Sequence, residues 1–255
     1  MSDQVKWTRK QLLVAFALYC QLPFGKLHSR NSEISRYAKL IGRTSSALAM
    51  KLTNIASLDP VIKESGRKGL SKASKTDKEL WDEIQQDWQG FVEKSQLILS
   101  ELGIEGDDEI PIDEREIASY EGKTKQIQVN IRIGQNFFRR AVLSAYQSTC
   151  CISGLANSGL LVASHIVPWR TDPKNRLNPK NGLCLSVLHD RAFDLGLITI
   201  SKKMTVQVSK KLLKSKDTFL ETSLLSYADA AIKLPEKFGP DEIFLEYHRE
   251  KIFAF

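Results

Sequence analysis

The 255-residue chain has no apolar run near the roughly 20 residues that a membrane-spanning helix needs. Its longest, Leu12 to Cys20, falls well short and lies between polar flanks. A membrane partner is therefore not expected. Met1-Ser2-Asp3-Gln4 offers no basic region leading to a cleavage site, so a secretory leader is not expected and the chain reads as cytoplasmic. Cysteine is scarce as well. Cys20, Cys150, Cys151 and Cys184 form no C-x-x-C pair, and a disulfide between the adjacent Cys150 and Cys151 would be strained. They read as reduced, mostly buried thiols.

Charge is plentiful and unevenly placed. The net charge is +7. Residues 1–75 hold fourteen Lys/Arg against four Asp/Glu, residues 76–125 five against fifteen, and residues 126–255 eighteen against eleven. Two basic blocks around an acidic one suggest two nucleic-acid-facing modules and a spacer. The expected divisions are a helical DNA-binding domain at 1–75, a helical and acidic connector at 76–125, and a third domain at 126–255.

In the first block, apolar residues at helical spacing predict a helix over Lys6 to Cys20 with Thr8 as N-cap. Asn31 or Ser32 caps a second helix, and Thr44 or Ser45 a third, across a Gly42-Arg43 turn. Two short helices around a glycine turn describe a helix-turn-helix. Arg43, Thr44, Ser45, Ser46 and Lys51 are its candidates for facing a DNA groove. Arg67, Lys68 and Lys72 form a basic loop whose glycines admit close phosphate approach. Leu80, Trp81, Ile84, Trp88, Phe91 and Val92 predict a helix in the connector, followed by a solvated acidic run, Glu105-Gly106-Asp107-Asp108-Glu109, and Asp113-Glu114.

Beyond residue 126, the alternation Ile127, Val129, Ile131, Ile133 predicts a strand. Asn136 to Tyr146 predicts a helix, Leu160 to Ile166 and Leu197 to Ile200 predict strands, and Leu220 to Lys233 a helix. Among these elements His165, Asn181 and His189 follow one another at spacings of sixteen and eight. Phosphodiester hydrolysis needs an activated water, neutralised phosphate charge and a stabilised leaving 3′ oxygen. Imidazole suits the first task because its ordinary pKa, about 6.5, lies near working pH. A second imidazole or a carboxylate can hold a metal for the others. A carboxamide donates and accepts at once, so Asn181 can lock the loop that positions both histidines.

The runs Phe138-Arg139-Arg140-Ala141-Val142-Leu143-Ser144-Ala145-Tyr146, Cys150-Cys151-Ile152-Ser153-Gly154, Ala163-Ser164-His165-Ile166-Val167-Pro168-Trp169, Asn178-Pro179-Lys180-Asn181-Gly182-Leu183-Cys184-Leu185 and Leu188-His189-Asp190-Arg191-Ala192-Phe193-Asp194-Leu195-Gly196 together resemble the HNH endonuclease family, in its bacterial restriction-like subfamily. The resemblance covers roughly residues 130–203. It implies a ββα-metal nuclease domain, which together with the helix-turn-helix-like N-terminal domain makes the expected fold class α+β. In that domain His165 is the general base, Asn181 fixes the loop and His189 ligates Mg²⁺ or Mn²⁺. Where many such sites place Asp or His before the first histidine, this chain has Ser164. Asp194, then Asp190, are the candidates for a second metal ligand, and a site with one protein ligand completed by water and phosphate is the alternative. Ligands for the structural zinc found in some relatives are lacking, so no structural zinc is expected. Arg139, Arg140, Arg170 and Arg191 are candidate phosphate contacts. The implied partner is double-stranded DNA, with modified cytosine as a candidate recognition feature and a homodimer as the expected way to cut both strands. A DNA-binding regulator with a degenerate site and an RNA-acting nuclease are the competing readings.

Overall fold

The computed structural model describes residues 6–66, 73–104 and 125–253, with side chains from residue 132 onward in the last stretch. The chain divides into two units, Met1–Ala141 and Val142–Phe255.

The first unit is helical. Helix α1 (Arg9–Gln21) starts at Thr8, whose hydroxyl accepts the Gln11 N–H while the Gln11 side chain accepts the Thr8 N–H. Periodicity predicts one buried face; instead every residue from Leu12 to Cys20 is buried, because α3 and α6 both pack on this helix. The polar atom this traps is used: Tyr19 donates to Asp59 Oδ2 at 3.2 Å. Burial, and then the charge of Asp59, push the Tyr19 phenol well above its ordinary pKa and keep it a donor.

Helix α2 (Ser32–Leu40) opens at Asn31, whose side-chain oxygen accepts the N–H groups of Glu33 and Ile34. Helix α3 (Ser45–Ala56) opens at Thr44, which caps Ala47. Between them Gly42 takes a φ of +66°, where a side chain would be strained. That turn lets the Arg43 N–H reach back to the Ala38 carbonyl at 2.8 Å and close α2. Asp59 caps the short α4 (Pro60–Glu64), and α5 (Lys75–Gln86) and α6 (Trp88–Glu101) complete this set. Asp77 closes a capping box with Ser74 and meets Lys51 at 2.9 Å through both carboxylate oxygens, both side chains buried.

The strand expected around Ile127 to Ile133 is not formed. Those residues belong to α7 (Lys125–Ala145), continuous with the helix expected from Asn136. The reason is cooperative: each residue added to an existing helix gains a hydrogen bond, and no proline interrupts the stretch. The basic loop at 67–72 and the acidic run at 105–109 and 113–114 lie outside the described residues.

The second unit holds two hairpins. Strands β1 (Leu161–His165) and β2 (Gly182–Ser186) pair antiparallel, Leu161 opposite Ser186 and His165 opposite Gly182. Helix α8 (Val187–Asp194) follows β2 directly and packs on both strands. Strands β3 (Ile198–Ile200) and β4 (Val206–Val208) form the second sheet. Short helices α9 (Lys210–Leu213) and α10 (Thr218–Ser223) come next. The helix expected over Leu220 to Lys233 is therefore mostly absent. After a 3-10 turn at Leu225–Tyr227 the chain bends at Asp229, φ +59°, and the Ile232 N–H bonds to the Met204 carbonyl. Sheet-edge hydrogen bonds have replaced helical ones there.

Helix α11 (Glu242–Lys251) is fastened by His248, stacked on Phe193 with ring centroids 3.5 Å apart. Its Nδ1 lies 2.8 Å from Thr199 Oγ1, and its Nε2 lies 3.1 Å from the Phe193 carbonyl oxygen. Burial, as the largest cause, lowers the His248 pKa to about 4. No helix among the described residues is long and apolar enough to cross a membrane.

Candidate active site

His165 is the last residue of β1 and faces Gly182, the first of β2. The intervening loop must leave and return to one point, and Asn181 closes it. Its carbonyl accepts the Ile166 N–H at 3.0 Å. Its fully buried side chain accepts the Val167 N–H at 2.8 Å and donates to the Val167 carbonyl at 3.1 Å. A carboxamide is the neutral group that can satisfy both the N–H and the C=O of one buried residue. His165 is half-buried, with Nε2 2.9 Å from the Arg176 carbonyl oxygen. A carbonyl only accepts, so Nε2 carries the proton in the neutral ring and Nδ1 carries the basic lone pair. Trp169 meets the ring edge-on at 5.3 Å, and the Arg176 guanidinium lies 5.2 Å from the centroid of Trp169.

His189 sits at the third position of α8, whose N-cap is Ser186. The Ser186 hydroxyl accepts the His189 backbone N–H and lies 2.7 Å from its Nδ1. Nε2 is buried and has no hydrogen-bond partner among the described residues. Tyr227 crosses the ring edge-on at 5.3 Å.

Cys150 also reaches this imidazole, which the sequence did not reveal. Burial pushes its thiol up, but His189 and the backbone N–H groups of Ser153 and Ile152 outweigh that and hold it down, at about 6. The Ser153 N–H lies 3.4 Å from the sulfur. The nearest signal was Cys150-Cys151-Ile152-Ser153-Gly154, a turn that aims amides at the first sulfur. All four cysteines are buried thiols, as expected.

The remaining candidates are scattered. Asp190 is buried beside His189, whereas Asp194 is exposed at the end of α8. Five residues at about 100° each put Asp194 well round the helix from His189. Ser164 is buried and its hydroxyl has no hydrogen-bond partner among the described residues. No group of three or more His, Cys, Asp or Glu able to hold a metal is found among those residues. Arg170 and Arg191 are exposed; Arg139 and Arg140 are half-buried, Arg140 lying 3.9 Å from Glu33. In the first unit Ser46 is exposed, Thr44 is engaged as a cap, and Ser45 Oγ lies 3.2 Å from Ser35 Oγ. Arg43 donates to Gln11 Oε1 and to the Lys6 carbonyl, with its guanidinium 4.7 Å from the Trp7 ring centroid. Lys51 does not face outward as expected, because Asp77 turns it into the core. Arg67, Lys68 and Lys72 lie outside the described residues.

No curated protein matches the chain significantly. A family model described as HNH endonuclease matches residues 150–201, the stretch that holds both strands, the loop lock and the histidine helix. Residues 150–201 of the second unit are thus similar to the HNH endonuclease family.

Proposed function

We propose that the protein is a divalent-metal-dependent DNA endonuclease of restriction or defence type, cutting with its second unit and reading duplex DNA with its first. The observation that carries the reading is the state of His165. With Nε2 on a backbone carbonyl, its Nδ1 is the atom that accepts a proton from the attacking water. Asn181 fixes the loop around it, so the base does not have to be ordered during the reaction.

His189 suits a metal. Its buried Nε2 has no hydrogen-bond partner among the described residues, with the Cys150 thiol near the ring, and when Nδ1–H donates to Ser186 Oγ the lone pair stands at Nε2. Asp190 and Asp194 remain the candidate carboxylates, Asp190 favoured by its burial next to His189. When bound, Mg²⁺ or Mn²⁺ supplies charge neutralisation at the phosphate and the leaving oxygen. Helices α2 and α3 around Gly42 support a helix-turn-helix role, with Ser46 at the exposed start of α3. Dependence on modified cytosine and a homodimer acting on a symmetric site are further parts of the proposal.

The test is plasmid cleavage with Mg²⁺, Mn²⁺ or chelator, on modified and unmodified DNA of one sequence. Nicked or linear product that requires the ion and vanishes in His165→Ala is expected. Equal cutting of both DNAs would remove the modified-base requirement. A second reading, a DNA-binding regulator with a degenerate site, is favoured by Ser164 standing where a ligand is usual. Tight DNA binding without cleavage under any ion would establish it.

A further inference from the structure

From Leu195 to Lys216 the chain carries six lysines, Lys202, Lys203, Lys210, Lys211, Lys214 and Lys216, and no Asp or Glu. All six are exposed. Only Lys202 has an acidic neighbour among the described residues, Glu246 at 3.6 Å. These lysines lie beyond residue 201, where the family match ends. Six like charges in a short stretch, five of them with no acidic neighbour among the described residues, repel one another, and a polyanion is the partner that offsets them.

Their placement indicates which polyanion. Ile198 pairs with Val208, so the end of β4 lies beside the start of β3, just after α8. The Ser209 N–H bonds to the Leu197 carbonyl at 2.9 Å, immediately before Lys210. Eleven residues beyond Lys216, after α10, the chain returns to the site, where Tyr227 meets the ring of His189. The lysine segment is thus anchored to the nuclease motif on both sides. A lipid surface fits less well, because α9 spans only Lys210–Leu213, too short to lay an apolar face into a bilayer.

We propose that Lys210, Lys211, Lys214 and Lys216 form the phosphate-backbone contact that seats duplex DNA against the second unit, with Lys202 and Lys203 extending it. This rests on the nuclease reading for its substrate, but it concerns binding rather than cleavage. Each lysine on a phosphate displaces condensed counterions, so four contacts steepen the dependence of log Kd on log salt by about 3.6. Between 50 and 200 mM salt that corresponds to a difference of about 100-fold in affinity loss.

The experiment measures anisotropy of the full-length protein on a labelled duplex, with metal chelated, from 50 to 200 mM salt. The variants are K210Q/K211Q/K214Q/K216Q and the same four positions changed to Arg, each first checked for an unchanged melting curve. The Gln variant is expected to lose about 3 to 4 units of slope and the Arg variant to keep them. If the quadruple change unfolds the unit, K210Q/K211Q and K214Q/K216Q are each expected to lose about half. An unchanged slope overturns the proposal. So does loss of binding to anionic phosphatidylserine vesicles, or to an RNA hairpin, while duplex binding is unaltered. A lowered slope in a protein that cuts no DNA under any ion leaves the lysine surface standing and removes the nuclease reading.

Discussion

Replacing Asn181 by alanine is the sharpest test of the loop lock. The side chain is fully buried and satisfies both the N–H and the C=O of Val167, itself only 4% exposed. Alanine leaves both peptide groups buried and unpaired, at about 1–3 kcal/mol each, or roughly 2–6 kcal/mol together. Domain stability is typically about 5–15 kcal/mol, so the change consumes a large share of it. For a domain near 100 residues, a loss of even 2 kcal/mol lowers Tm by about 8 °C or more. Asn181→Asp is the informative companion. A carboxylate still accepts the Val167 N–H but faces the Val167 carbonyl with a second acceptor. Its protonated form restores a donor, so Asn181→Asp is expected to recover stability as pH falls, which Asn181→Ala cannot do. Hydrogen exchange of the segment 160–182 reads the local opening, and plasmid nicking reads the chemistry. If Asn181→Ala exchanges like the parent and nicks at the parent rate, the loop lock is refuted.

Further outcomes follow from other contacts. His165→Ala is expected to reduce cleavage about 10²- to 10⁴-fold with little change in melting temperature, because the ring is half-buried; nicking assays alongside thermal melts check it. Breaking the Lys51–Asp77 pair with Lys51→Met is expected to cost about 3–5 kcal/mol, with Asp77→Leu in the same chain restoring most of it, read by denaturant unfolding. His248 gives stability a pH dependence. Its folded pKa of about 4 lies below the ordinary 6.5, so the unfolded chain binds more protons between those values. The contribution is present above about pH 6.5 and is lost as pH falls towards 4, on the order of 3 kcal/mol in all. Melts of wild type and His248→Gln from pH 7.5 to 4 should converge on the acid side; parallel curves would remove the assignment.

Local signals were legible where one residue has one physical job. Thr8, Asn31 and Thr44 cap helices as their hydroxyl or amide chemistry predicts, and the Gly42 turn is where a positive φ is needed. What failed to show were features set by distant partners. Lys51 follows a helix start rich in polar residues and resembles a groove contact, yet Asp77, twenty-six residues on, captures it. The alternating isoleucines of Ile127 to Ile133 carry strand periodicity, but continuity with the Asn136 helix overrides it. The same limit hid the Cys150–His189 contact, since nothing local joins residues on opposite sides of two strands.

The spacings of the motif can be rebuilt from the structure. Asn181 precedes Gly182, and Gly182 pairs with His165, so the carboxamide necessarily lies at the mouth of the loop that leaves the base. From there β2 runs five residues to Ser186. Ser186 is at once the last strand residue and the N-cap of α8, and its hydroxyl serves the residue three positions on, which is His189. The spacing of eight from Asn181 to His189 is thus a five-residue strand followed by a capping offset of three. Lengthening β2 by one residue would turn its side chains to the other face and move both the cap and the imidazole. The same insertion in the loop between Val167 and Asn175 leaves register and cap intact. A one-residue glycine insertion after Pro173 should therefore retain far more nicking than one after Leu183. Comparable losses at the two positions would mean that the loop, and not the strand-to-helix junction, sets the position of His189.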